Sequence, residues 1–131
     1  MIPLFTAEEM RAIEREAIAA RRVTSLELQE RAARGAAVCV PHGVMVEVLA
    51  GPGNNGGDAL AVARMLRHLG HRVRVWTLIP NADWNGDAGI QAERWKAGGG
   101  SFVHTANPAA AVEGWGTHWV VDGLFGLGSS R

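Results

Sequence analysis

The chain has little cysteine, no surplus of either charge and no long apolar run, and each absence excludes a class of protein. The single cysteine, Cys39, rules out an internal disulfide scaffold and favours a reducing compartment. Its neighbours in Ala36–Val40 are small and apolar, so we expect a buried side chain rather than a nucleophile. The 13 basic residues balance the 13 acidic ones, which argues against a broad nucleic-acid-binding surface.

No apolar run approaches the roughly 20 residues that span a bilayer. The first five residues also lack the basic start and apolar core of a secretory signal. We therefore expect a cytoplasmic protein with neither a membrane nor a nucleic acid as its partner. With 131 residues, 47% of them hydrophobic and 20% charged, the chain fits a single globular domain over residues 1–131.

Strand and helix patterns alternate along the chain. Capping boxes, Thr6 with Glu9 and Thr24 with Glu27, predict helices over about 7–20 and from Thr24 to about Val40. Later helices are predicted after the glycine-rich loop, over about 87–97 and briefly after Pro108; strands are predicted over 44–49, 71–79, 101–104 and 119–121. This order is typical of a doubly wound α/β fold, in which ligands bind at the carboxyl ends of the strands.

The remaining charged residues follow ordinary surface patterns. Alternation with apolar residues predicts that four arginines form a solvated face: Arg64, Arg67, Arg72 and Arg74. We expect Glu47, near the end of the first strand, to be exposed, because a buried carboxylate would need a partner. The 5 histidines lack the spacing of metal ligands, and each is expected at the surface.

The loop Gly51–Asp58, GPGNNGGD, follows the first strand and leads into a helix. A helix N-terminus of this kind stabilises a phosphate through unpaired N–H groups and the helix dipole. Its glycines match the dinucleotide fingerprint G-x-G-x-x-G, but no acidic residue follows the second strand before Asp83. No Lys-Ser/Thr pair follows the glycines either. An ordinary dehydrogenase and a P-loop NTPase are therefore both disfavoured.

The polar residues of this loop, Asn54, Asn55 and Asp58, indicate a ligand site. The alternative is structural: asparagine tolerates tight turns, and an aspartate can cap a helix. Asp122 follows an apolar strand, and its carboxylate should project near the loop if the two strands are neighbours. Amide and carboxylate oxygens with a single negative charge suit a monovalent cation better than a small divalent one.

Three segments in this order resemble the NAD(P)H-hydrate epimerase family, the YjeF N-terminal-type domain: GPGNNGGDA (51–59), NGDAGIQAERWKAGG (85–99) and VVDGLFGLG (120–128). The resemblance extends from Thr6 to Arg131. It implies a Rossmann-like three-layer α/β/α sandwich with a mostly parallel sheet, commonly assembled as a homodimer. It also implies an isomerase of metabolite repair, which interconverts the R and S epimers of hydrated NADH and NADPH. A companion dehydratase, fused or separate, then restores the cofactor from the S form.

The same resemblance implies roles for residues of both loops. Contacts with the hydrated dinucleotide fall to Asn54, Asn55, Gly56, Gly57 and Asp58, and to a second loop that closes over the ligand, Gly126, Leu127, Gly128, Ser129, Ser130 and Arg131. A potassium ion is implied at Asn55 and Asp122, in agreement with the oxygen donors identified above.

The chain departs from the family pattern at three places. Ala59 replaces a usual glycine, which a helix start tolerates. Leu28–Ala33 reads LQERAA where the family usually has LMERAG, and we expect this change from glycine to alanine to alter close packing near the site or the dimer face. A D-x-P-S-G-type segment that supplies a carboxylate in the family is absent from this sequence. Asp58 and Asp122 already have binding roles, so no catalytic residue is assigned, and the activity of this chain on its own stays open. The alternative is a non-catalytic nucleotide-binding or protein-interaction module of the same fold.

Overall fold

The computed structural model describes residues 3–78, 83–113 and 119–124. The helices and strands alternate as predicted, with ends that differ by a few residues. In chain order they are α1 (Ala7–Ala19), α2 (Ser25–Ala37), β1 (Met45–Ala50), α3 (Asn54–His68), β2 (Arg72–Thr77), α4 (Gly86–Ala97), β3 (Phe102–His104), α5 (Ala109–Val112) and β4 (Trp119–Gly123).

The four strands form one sheet in the order β3-β2-β1-β4, and every pairing is parallel. The predicted α/β fold with a mostly parallel sheet is thus confirmed. β1 lies centrally and pairs with β2 from Met45 opposite Arg72, and with β4 from Val46 opposite Trp119. Because all strands run the same way, the loops after β1 and β4 leave the sheet at one edge.

The core lies between the sheet and α3. Val46, Val48 and Ala50 of β1 are fully buried there, and they pack in one cluster with Leu60 and Leu66 of α3. α2 and α4 pack on either side of α3 through small residues such as Ala33, Ala37, Ala88 and Ala92. Burying apolar side chains on this face fixes α3, and therefore the start of α3 directly after the glycine-rich loop.

The opposite face of β1 contains a buried ionic group, so the expectation that Glu47 is exposed is wrong. Its side chain is 0% exposed and accepts hydrogen bonds from Arg74 at 2.6–3.1 Å and from Trp76 Nε1 at 2.6 Å. Arg74 also lies over the Trp76 ring, 5.5 Å from its centroid. The partners come from the neighbouring strand, where Arg74 stands opposite Glu47 in register.

Two other expectations about burial are wrong. Cys39 is exposed, because it follows the end of α2 and its Sγ donates to the carbonyl oxygen of Gly35. His71 is buried at the start of β2, where its Nδ1 lies 3.3 Å from the carbonyl oxygen of Val44. His42, which stacks on the His71 ring, is exposed as expected, as are His68 and His104; His118 lies outside the described residues.

Both predicted capping boxes are present. Thr6 and Thr24 each exchange two hydrogen bonds with the glutamate three residues later. Within the described part of the chain, α1 nevertheless contributes no buried residue. In the same part, no helix combines the length and apolar character needed to cross a bilayer.

Candidate functional site

The loops that follow β1 and β4 meet at the carboxyl edge of the sheet. β1 and β4 are neighbours, as the interpretation of Asp122 required, and Leu49 stands opposite Asp122 in register. The next residue after Asp122, Gly123, accepts a hydrogen bond at its carbonyl oxygen from the Gly51 N–H at 2.9 Å. This bond ties the start of the GPGNNGGD loop to the residue after Asp122.

Several positions of the loop accept only glycine, because other parts of the backbone lie too close for a side chain. A Cβ placed on Gly51 would lie 1.9 Å from the carbonyl oxygen of Leu124, and one on Gly56 would lie 1.9 Å from the carbonyl oxygen of Gly51. Gly53 has a φ of +94°, which side chains rarely allow. The same Gly51 oxygen accepts a hydrogen bond from Trp84 Nε1 at 2.9 Å. The loop is therefore held in one shape by β4, by α3 and by the Trp84 indole.

α3 begins within the motif at Asn54, and Gly53 is its N-cap residue. Gly57 N–H donates to the carbonyl oxygen of Gly53, which makes Asn54, Asn55 and Gly56 the first helical residues. N–H groups at these positions have no partner within a helix. Unlike α1 and α2, α3 has no side-chain cap within the described residues. The predicted arrangement, a glycine-rich loop leading into a helix N-terminus, is confirmed.

The polar residues of the motif are divided between two faces of α3, because residues four apart share a face. Asn54 and Asp58 line a cavity of about 440 Å³ together with Gln29 of α2. Asn55 and Ala59 face β4: a Cβ on Gly123 would lie 2.9 Å from the Asn55 carbonyl oxygen and 2.3 Å from Ala59 Cβ. Asn55 is half-buried there, whereas Asn54 is exposed.

Asp58 does not cap α3, so helix capping, the structural alternative considered for this aspartate, is excluded. The carboxylate instead accepts a hydrogen bond from Gln29 Nε2 at 2.8 Å. Gln29 Oε1 in turn accepts from Gln91 Nε2 at 3.0 Å. The motif is thereby connected to α2 and α4 by side chains that lie far from it in sequence.

Gln91 is fully buried, and its Nε2 also donates to Glu30 at 2.8 Å. Glu30 accepts further hydrogen bonds from Arg64 and Arg94. Burial alone would raise the pKa of Glu30, but the hydrogen bonds from Arg64, Gln91 and Arg94 and the charge of Arg64 outweigh it and lower the pKa. The predicted solvated face of arginines is confirmed for Arg67 and Arg72, which are exposed. Arg74 is exposed too but forms an ion pair with Glu47, and the half-buried Arg64 forms one with Glu30.

Asp122 is an exposed residue near the end of β4. One of its carboxylate oxygens, Oδ1, accepts a hydrogen bond from the Leu124 N–H at 3.0 Å. Asp122 lies within β4, which ends one residue later at Gly123, whereas the sequence predicted that the strand ends before Asp122. Because Gly123 lies against both Gly51 and Asn55, the chain at Asp122 runs beside the first loop.

The side-chain atoms at this edge that could coordinate a metal ion are hard oxygen ligands. The Asp122 carboxylate and the amide of Asn55 fit the chemistry of a monovalent cation held largely by neutral oxygens. Within the ranges 3–78, 83–113 and 119–124, no group of three or more histidine, cysteine, aspartate or glutamate side chains could hold a metal ion. The described residues of the candidate site are therefore Asn54, Asn55, Gly56, Gly57, Asp58 and Asp122.

The second predicted ligand loop lies outside the described residues: Gly126, Leu127, Gly128, Ser129, Ser130 and Arg131. Three side chains that shape the site were missed by sequence reasoning, namely Gln29, Trp84 and Gln91. Gln91 occupies the buried face of a helix, and a glutamine at such a position is the one signal that could have indicated a polar network.

Comparison with known proteins places the chain among close sequence relatives. A family model described as YjeF-related protein N-terminus matches residues 13–131. An NAD(P)H-hydrate epimerase of Rhodobacter capsulatus is 38% identical to the chain, over 100% of the chain and 65% of that protein. One of Achromobacter xylosoxidans is 39% identical, over 100% of the chain and 61% of that protein. The chain thus spans less than two thirds of the length of these curated relatives.

The fold has a counterpart among solved structures. The crystal structure of a yeast protein superimposes with a TM-score of 0.73 at 22% sequence identity, and the match covers 99% of this chain and 59% of that one. At this level of identity the similarity concerns the fold, and it agrees with the parallel sheet described above.

Proposed function

The chain belongs to the family of YjeF-related protein N-termini, and from this membership we propose that it acts as an NAD(P)H-hydrate epimerase. Its substrate in this proposal is hydrated NADH or NADPH, whose R and S epimers it interconverts. The isomerisation transfers no hydride, which agrees with the absence of an acidic residue at the ribose position of a dehydrogenase.

One observation carries the proposal: the GPGNNGGD loop and the chain around Asp122 meet at one edge of the sheet. The Gly51–Gly123 hydrogen bond joins them, and α3 begins there with its N-terminus. A dinucleotide offers two phosphates to such a site, where helix N–H groups favour negative charge. The backbone glycines allow the ligand to approach the main chain closely.

Within this proposal each described residue has a role. Asn54 and Gly56 present the first turn of α3 to a phosphate, and Asn55 and Asp122 would hold a potassium ion. When bound, the ion would supply positive charge to the site. Asp58 belongs to the ligand loop, and further ligand contacts are assigned in this proposal to residues 126–131, which lie outside the described residues. A dehydratase then consumes the S epimer.

A non-catalytic binding module of the same fold is the second candidate, and one observation favours it. Both carboxylates near the motif already accept hydrogen bonds, Asp58 from Gln29 and Asp122 from its own loop. Each carboxylate thus has a contact that a purely binding role explains, whereas epimerisation would also need an acid–base group for the departing hydroxyl group.

Turnover distinguishes the two candidates. The purified chain is given the pure R epimer of NADPH hydrate in potassium buffer, and the S epimer is followed by chromatography. An epimerase forms the S epimer faster than the spontaneous reaction in buffer alone. A chain that binds the hydrate yet leaves the spontaneous rate unchanged is a binding module, and the proposed activity is then wrong.

A further inference from the structure

Asp58 is held by a residue that lies outside the ligand motif. Gln29 extends from α2 and donates its Nε2 to Asp58 Oδ1 at 2.8 Å. The two residues are 29 positions apart in sequence and line the same cavity beside Asn54. Because Asp58 is an exposed residue on the first turns of α3, such a contact is what restricts its rotamer.

The direction of this hydrogen bond is fixed by the buried groups behind it. Glu30 is ionised, since three donors lower its pKa, and a carboxylate can only accept hydrogen bonds. Gln91 must therefore turn its amide nitrogen toward Glu30, and the second hydrogen of the same nitrogen goes to Gln29 Oε1. Because Gln29 Oε1 faces Gln91, the amide nitrogen of Gln29 faces Asp58.

We propose that Gln29 is a positioning residue of the ligand site, which orients the Asp58 carboxylate through a hydrogen-bond chain anchored by Gln91 and Glu30. The proposal deepens the proposed function and rests on it, since Asp58 is taken as part of the ligand loop. Gln91 is 0% exposed, so the inner end of this hydrogen-bond chain is shielded from water, whereas its outer end, the Gln29–Asp58 hydrogen bond, is exposed.

A double-mutant cycle tests this role in the full 131-residue chain. Gln29→Met keeps the length of the side chain but cannot hydrogen-bond, and Asp58→Ala removes the carboxylate that accepts the bond. We expect Gln29→Met to weaken the binding of NADPH hydrate about tenfold, as for loss of a hydrogen bond to a charged group. In the Asp58→Ala background the same substitution should have almost no further effect, because Gln29 acts through the Asp58 carboxylate.

The control is Arg31→Met on the same helix, since Arg31 is exposed and lies outside the network. Equal affinity in wild type and Gln29→Met, or two effects that add in the double variant, would overturn the positioning role. If Gln29→Met fails to fold, Gln29→Asn replaces it, because its shorter side chain cannot reach both Asp58 and Gln91.

A second measurement separates this proposal from the proposed function, because it needs no ligand. In Gln29→Met we expect faster amide hydrogen exchange at Asp58–Ala61 of α3 than in wild type. If wild type fails to bind the hydrate, the proposed function is wrong. If exchange at the start of α3 is the same in both chains, Gln29 does not hold Asp58.

Discussion

Replacing Gly56 with alanine is expected to lower the free energy of unfolding by about 3 kcal/mol, at the upper end of typical overpacking costs. The new Cβ would lie 1.9 Å from the carbonyl oxygen of Gly51 and 3.0 Å from Trp84 Nε1. Both atoms belong to the bonds that hold the loop, since Trp84 donates to that same oxygen. Relieving the clash therefore displaces the ligand loop, and binding of the hydrate should be lost together with stability.

Gly35→Ala is the matched control. A Cβ at Gly35 meets no atom within 4 Å, and the residue lies inside α2. The alanine should stabilise the protein by roughly 0.5–1 kcal/mol through its helix propensity. Urea unfolding of both variants measures the difference. Equal stability of Gly56→Ala and wild type would show that the loop does not depend on this close contact.

Replacing Arg74 with methionine should cost about 3 kcal/mol of stability, the lower end of the range for breaking a buried ion pair. Glu47 is 0% exposed, and Arg74 donates to both of its carboxylate oxygens. Without the guanidinium the buried carboxylate keeps the Trp76 N–H but loses the charged donor that Arg74 supplies. Because Arg74 itself is 42% exposed, water can replace part of the interaction, which places the expected cost at that lower end.

Arg72→Met tests whether the charge pair, rather than the loss of an arginine, is responsible. Arg72 lies two residues earlier on the same strand and is exposed. Its replacement should change the unfolding free energy by less than about 0.5 kcal/mol. Thermal or urea unfolding of the two variants decides the matter: similar losses in both would mean that Glu47 does not depend on Arg74.

The order of elements and the position of the ligand loop follow from local patterns. Capping boxes at Thr6 and Thr24, apolar strands and the glycine-rich loop each reflect interactions between residues close in sequence. The sequence does not show that β1 and β4 are neighbours, so the position of Asp122 beside the loop could be predicted only on the condition that they are. That condition was nevertheless enough to place Asp122 beside the loop, since parallel strands end at the same edge.

The burial of polar side chains could not be derived in the same way. The burial of Glu47 depends on Arg74 and Trp76, which face it from β2. The residues next to Glu47 in sequence do not reveal which residues of β2 lie opposite it. The Asp58–Gln29 contact joins residues 29 positions apart, and Gln91 lies 62 positions from Gln29. Such contacts depend on how three helices pack.

Potassium-dependent binding of NADPH hydrate tests most directly whether the two loops form one site. Affinity is measured by calorimetry in potassium and in sodium buffer, for wild type, Asn55→Ala and Asp122→Ala. Glu93→Ala is the control, since Glu93 is exposed on α4 and forms a surface ion pair with Lys96. We expect tighter binding in potassium for wild type and the control, and loss of this difference in both site variants. Binding that is equal in the two salts, or unchanged by either substitution, would contradict a joint ion and ligand site.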